Sequence, residues 1–210
     1  MIRKANLNDI EAIGRIYEAV HDAEEAGLLT IGWQRGVYPT EETARAALER
    51  GDLFVCVAEG AAPRASADGT APGAGADKAV SGAGDAALAA GRLETPVDSA
   101  ANPAPATIVA AAGINQIQVP EYVDCSWEHD APDSEIMVLH TLVVDPAAQG
   151  GGHGDAFVRF YEEYAEAQGC SYMRMDTNAR NLRARAFYAK RGYKEPGIVD
   201  CVFNGIEGVK

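Results

Sequence analysis

Val144-Asp145-Pro146-Ala147-Ala148-Gln149-Gly150-Gly151-Gly152-His153-Gly154 is the stretch on which the reading of this chain turns. Before it, Ile136–Val144 is an apolar, β-branched run that predicts a strand ending at Asp145-Pro146. After it, Phe157, Phe160, Tyr161 and Tyr164 recur at helical spacing and predict an amphipathic helix. Glycines let a backbone turn tightly and point successive N–H groups into one concavity. The helix N-terminus behind them adds roughly half a positive charge. Such a turn suits a phosphate or pyrophosphate. A Walker loop is excluded because no Gly-Lys-Ser/Thr follows, and a Rossmann G-x-G-x-x-G is absent. Taken alone, the stretch leaves two readings open: an anion cradle, or a plain tight connection between strand and helix.

Toward the C-terminus, Tyr172 to Thr177 reads as the next strand, and Asn181 opens a helix that ends at Arg191-Gly192. Ile198 to Phe203 is a last strand, followed by the hairpin signal Asn204-Gly205. Upstream, Ile2 to Ala5 predicts a short first strand. Asn8 with Glu11 resembles a capping box. Ile10, Ile13, Ile16, Tyr17 and Val20 then follow at helical spacing. Thr40, with Glu41 and Glu42, opens a second helix to about Arg50. Leu53 to Ala58 and Thr107 to Ile114 look like the two arms of a hairpin.

Between those arms lies a segment of a different kind. Residues 61–106 hold 17 Ala, 6 Gly and 5 Pro and no aromatic residue, with Val80, Leu88, Leu93 and Val97 as the only Val, Leu or Ile. So little apolar surface cannot offset an ordering cost of roughly 1–2 kcal/mol per residue, so a disordered insertion in one domain spanning 1–210 is expected. Loop closure grows only logarithmically with length, so a hairpin tolerates it.

The chain has 31 acidic and 18 basic side chains, a formal net charge of −13. That balance argues against nucleic-acid binding, which needs Lys and Arg on phosphates, and against docking on anionic membranes. It is compatible with a cationic substrate or with simple solubility. No stretch approaches the ~18–20 apolar residues of a membrane helix. The start, Met1-Ile2-Arg3-Lys4, lacks a signal peptide's apolar region, so a cytoplasmic protein is expected. Cys56, Cys125, Cys170 and Cys201 lie far apart without a CxxC pair and read as reduced thiols; no metal site is expected.

Two motifs resemble a known family. Gln149-x-x-Gly152-x-Gly154 is similar to the Gln/Arg-x-x-Gly-x-Gly/Ala signature of the GNAT superfamily of N-acetyltransferases. The segment from Asn181 through Ala184 and Tyr188 to Gly192-Tyr193 resembles the family's next motif, Asn-x-x-Ala-x-x-x-Tyr-x-x-x-Gly-Phe/Tyr. The resemblance covers nearly the whole chain outside the insertion. It implies a mixed α/β fold with a central twisted mixed sheet flanked by helices. It also implies acetyl-CoA as co-substrate, acetyl transfer to a primary amine by direct attack, and a small-molecule or peptide acceptor. The turn of Gln149, Gly150, Gly151, Gly152, His153 and Gly154 would cradle the CoA pyrophosphate. Leu142, Val143 and Val144 would pair with the pantetheine arm, and Asn181 would touch that arm from the other side. Seven of the 18 basic residues fall between Arg174 and Lys194, which suits an anionic cofactor.

Tyr188 occupies the family's usual general-acid position, although an apolar helix face would also explain it. His140 is the best candidate for the base, since an imidazole with a pKa near ~6.5 suits proton abstraction at neutral pH. Strand alternation places His140 and Leu142 on one face, while a satisfied core histidine is the competing reading. Glu135 or a chain of waters are alternative bases. Trp33 and Tyr38 sit in a Gly/Pro-bounded loop and suggest an aromatic wall for the acceptor, or a cover over the core. Residues 118–133, with Tyr122, Trp127 and five acidic residues, form a second loop that could frame the entrance. Asp176 and Asn178 share a strand face and could shape the acceptor end or cap the next helix. The few residues after Gly205 leave the last strand, the acceptor-side edge and any homodimer interface undecided. A non-catalytic acyl-CoA-binding module is the alternative function, and thiol release from acetyl-CoA separates the two.

Overall fold

The computed structural model describes residues 1–58, 107–203 and 205–210; the Ala-rich stretch 61–106 lies outside the described residues. The elements run β1 (Ile2–Lys4), α1 (Ile10–Glu25), α2 (Glu41–Arg50), β2 (Leu53–Ala58), β3 (Thr107–Asn115), β4 (Ile136–Val144), α3 (His153–Ala167), β5 (Tyr172–Met175), α4 (Leu182–Ala189), β6 (Cys201–Phe203) and β7 (Ile206–Val209). Five strands form one sheet in the order β1-β2-β3-β4-β5. The first four pair antiparallel and β4 pairs parallel with β5. The mixed α/β architecture expected from the sequence is what the chain adopts.

Both faces of the sheet are covered, which is why β2 reads as a continuous apolar run. Leu53, Val55 and Val57 pack with Ile10, Ile13, Ile16, Tyr17 and Val20 of α1. Phe54 and Cys56 point the other way, to Phe157, Tyr161 and Ala165 of α3. The ring of Phe54 meets Tyr164 at 5.0 Å and Phe160 at 5.3 Å, which accounts for the aromatic stripe on α3.

The first cap falls two residues earlier than the sequence suggests. Asn6, not Asn8, has the extended backbone of a cap, and its side chain accepts from the Asn8 N–H at 2.9 Å. Asp9 closes the box by accepting from the Asn6 N–H at 2.8 Å, and it also takes the Arg3 guanidinium at 2.7 Å. Thr40 caps α2 as expected.

The short pairing of β4 with β5 opens a gap between them. This parallel ladder covers only Ile136 to Leu139, so residues 140–144 continue without a neighbour on that side. The two strands splay there. Just before the splay, the buried Tyr161 of α3 donates its hydroxyl to the Met137 carbonyl of β4 at 2.7 Å, with the Arg174 carbonyl of β5 3.0 Å away.

The C-terminal strand is shorter than predicted, beginning at Cys201 rather than Ile198. It pairs with β7 in a separate two-stranded sheet rather than extending the main one. The Lys210 carbonyl accepts from the Ala179 N–H at 2.6 Å, which ties this hairpin to the connection between β5 and α4.

Candidate active site

The glycine turn is built by local chemistry. Asp145 stops β4 by accepting from the Ala147 N–H at 2.8 Å, and Pro146 opens a short 3-10 turn. Gly152 then takes φ +75° as the residue before α3, a conformation that L side chains rarely adopt. The amides of Gly150, Gly152, His153, Gly154 and Asp155 have no acceptor among the described residues. Gly154 serves packing instead: a Cβ there would lie 3.2 Å from the Phe187 ring, so its absence lets α4 close on α3. Gln149 accepts from the Arg183 guanidinium at 2.8 Å. Free amides at a helix start, open space beside Gly150 and Gly152, and neighbouring Arg183 and Arg180 fit an anionic pyrophosphate.

The turn borders a cleft of about 1140 Å³ that runs through the splay between β4 and β5. Tyr188, Asn181, Leu142, Val143, Val144, Gln149, Gly150, Gly152, His153, Gly154, Trp33 and Tyr38 all line it. Gly151 and His140 do not. Gly151 is shielded by His153, whose Nε2 would lie 2.6 Å from a Cβ at that position. The other ring nitrogen of His153 lies 4.0 Å from the Cys56 sulfur.

His140 requires a correction. Ala111 pairs with Val143 but Gly113 pairs with His140, so β4 carries one extra residue between them. Thr141 absorbs this bulge with φ +51°. The extra residue shifts the alternation, and His140 and Leu142 do not share a face. Leu142 packs with the α3-side cluster, whereas the His140 ring turns to Asn115, its Nε2 3.0 Å from the Asn115 oxygen. Burial holds the His140 pKa below the ordinary imidazole value, against the opposing pull of Asp176. The ring is therefore neutral at physiological pH.

Tyr188 projects from α4 with its ring edge-on to Phe187 and Tyr193, at 5.1 and 5.9 Å. The residue is half-buried, and its hydroxyl has no hydrogen-bond partner among the described residues. Burial and then the charge of Asp176 raise its pKa well above the ordinary phenol value, so it stays protonated. Asn181 caps α4, accepting from the Ala184 N–H at 3.0 Å, which leaves its amide N–H groups for other partners.

At the other end of the cleft, Trp33 and Tyr38 meet edge to face at 5.9 Å. The Tyr38 hydroxyl contacts the Thr141 hydroxyl at the bulge. Glu24 holds this loop by accepting from the Ile31 and Gly32 amides at 2.8 and 2.7 Å. The sequence offered Asp176 as shaping the acceptor end or capping the next helix and Tyr122 as part of a loop framing the entrance, but it did not pair the two. The buried Tyr122 donates to Asp176 at 2.9 Å across 54 positions of sequence, and both line the cleft. Asp176 is solvent-accessible in the cleft, and the partial desolvation of its carboxyl there raises its pKa despite the Tyr122 hydrogen bond and nearby His140. Asp176 follows the end of β5, a position that alternation could locate. Nothing local marks Tyr122.

The basic cluster is less available than its count suggests. Arg174 stacks on Trp127 at 4.0 Å, Arg185 pairs with Glu195, Arg191 with Asp155, and Lys194 with Glu128. Among the described residues, no three His, Cys, Asp or Glu side chains gather as a metal site, and no helix is long and apolar enough to cross a membrane.

Residues 98–193 match the acetyltransferase (GNAT) family. An uncharacterized N-acetyltransferase of Methanocaldococcus jannaschii is 30% identical over 76 residues, 36% of this chain, and the match spans about a third of that relative's length (34%). Among solved structures, a GNAT-family acetyltransferase of Listeria monocytogenes superposes with a TM-score of 0.58 at 14% identity, covering 95% of this chain and 88% of the other. A mutant protein of Bacillus halodurans gives 0.57 at 17% identity, covering 95% and 96%. At these identities the likeness is one of fold.

Proposed function

We propose, on the match of residues 98–193 to the acetyltransferase (GNAT) family, that the chain transfers an acetyl group from acetyl-CoA to a primary amine by direct attack. It acts in the cytoplasm as one domain, with residues 61–106 inserted between β2 and β3. The observation that carries this reading is the meeting, in one cleft, of the glycine turn, Asn181 and the unpartnered Tyr188 hydroxyl. Thiol release from acetyl-CoA with a panel of amines is the test. CoA binding without release for any amine would favour the alternative, a non-catalytic binding module.

In this mechanism the turn amides bind the pyrophosphate, and Leu142, Val143 and Val144 align the pantetheine arm. The cleft holds amine and thioester in line, which supplies much of the rate. The bound ammonium first loses a proton to His140 through a water, and the freed amine nitrogen then forms the new bond to the carbonyl carbon. The carbon–sulfur bond breaks, Tyr188 protonates the departing thiolate, and the tyrosine recovers a proton from the new amide nitrogen through solvent. Gly152→Val imposes a branched side chain on a backbone at φ +75° and should weaken CoA binding at least tenfold, ~1.4 kcal/mol. Calorimetry on the folded variant checks it, and unchanged affinity removes the turn from the cofactor site.

The acceptor is a cation in solution with an apolar body. Asp176 supplies the countercharge and Trp33 with Tyr38 the walls. Asp176→Asn should raise KM for the amine roughly 10- to 100-fold, since a charged hydrogen bond contributes about 1.5–3 kcal/mol. CoA affinity should not change. Because partial desolvation raises the Asp176 pKa, its charge is lost as pH falls from a point above the usual carboxylate range. Acceptor KM should therefore begin to rise at that higher pH in the parent and stay flat in Asp176→Asn. An unchanged amine KM in the variant would assign recognition elsewhere.

A further inference from the structure

His140 rests on a hydrogen-bond chain that neither the acetyl transfer nor acceptor binding uses. Asp52, only 7% exposed, accepts from the Arg50 guanidinium at 2.8 Å and from the Asn115 amide nitrogen at 2.8 Å. The Asn115 oxygen accepts from the Ile117 N–H at 2.7 Å and lies 3.0 Å from His140 Nε2. A carboxylate only accepts, and a backbone N–H only donates. These two contacts fix the Asn115 amide independently of the histidine, and they present its oxygen to the ring. An oxygen against Nε2 requires a proton on Nε2. A neutral imidazole has one ring proton, so its lone pair is then on Nδ1.

We propose that Asn115, oriented by Asp52, is a positioning residue that holds His140 as the Nε2–H tautomer, so that Nδ1 receives the acceptor's proton. The catalytic half of this proposal rests on the reading of His140 as the base. The charged groups facing the ring are Asp176 beyond β5, Asp52 between α2 and β2, and Arg50 at the end of α2; the Ile117 backbone also hydrogen-bonds the ring. Asp176 also faces the cleft, so the water that relays the proton has a negative neighbour on that side.

The experiment is nitrogen NMR on full-length protein with labelled histidine, the His140 signals being assigned by their loss in His140→Gln. At neutral pH the parent should show a neutral ring with a protected, slowly exchanging Nε2–H. In Asn115→Leu that protection should vanish and kcat should fall roughly tenfold or more, with CoA affinity retained as the check on folding. Exchanging the pair, Asp52→Asn with Asn115→Asp, again presents an oxygen to Nε2. It should restore the Nε2–H signal and shift the acidic limb of kcat/KM to higher pH, because a negative charge now adjoins the ring. A parent ring protonated on Nδ1, or an unaltered signal in Asn115→Leu, overturns the proposal. If His140→Gln keeps the parent's kcat and acidic limb, the base assignment and the catalytic half fall, while the spectra still judge the positioning alone.

Discussion

Replacement of Tyr188 by Phe is expected to lower kcat by roughly 10²–10⁴, the usual contribution of a positioned general acid. The change deletes one oxygen from a half-buried residue whose hydroxyl has no protein partner among the described residues. Packing against Phe187 and Tyr193 is therefore kept, and CoA affinity and thermal unfolding should stay at parent values. The raised phenol pKa sets the sign of the pH effect. The acid form persists past the ordinary tyrosine value of about 10, so the parent's kcat should stay level on the alkaline side beyond that point before it falls. The variant has no phenol to ionise and should lack this alkaline fall. Turnover at the parent rate across the pH range would make the hydroxyl structural and leave the thiolate to be protonated by solvent.

The largest expected loss of stability is at Tyr161. It is fully buried, fills the centre of the α3-side cluster, and bridges carbonyls of β4 and β5 at the edge of the splay. Tyr161→Ala should cost about 3–5 kcal/mol, as large-to-small core substitutions of aromatic residues do. Tyr161→Phe keeps the ring but removes the donor from the buried Met137 carbonyl, and should cost about 1–3 kcal/mol. Urea unfolding checks both, with a lower midpoint and an unchanged m-value expected for the Phe variant. A Phe variant as stable as the parent would show that the ring alone holds α3 against the two strands.

The order of elements, the caps at Thr40 and Asn181, and the glycine turn after β4 were legible in the sequence because each depends on neighbours a few residues apart. A cap needs its acceptor within one turn, a helix shows its buried face every three or four residues, and φ +75° at Gly152 requires a residue without a Cβ. The tertiary structure alone decided which way His140 points. One extra residue at Thr141 reverses every later side chain of β4, and residue types do not reveal a bulge whose cause is the register against β3. The same holds for Asp176 and Tyr122, which meet across 54 positions, and for Arg174, Arg185, Arg191 and Lys194, whose charges are taken by partners that no local pattern names. Local sterics and periodicity write the elements into the sequence. The contacts that decide which polar groups remain free for a substrate arise only when distant elements pack.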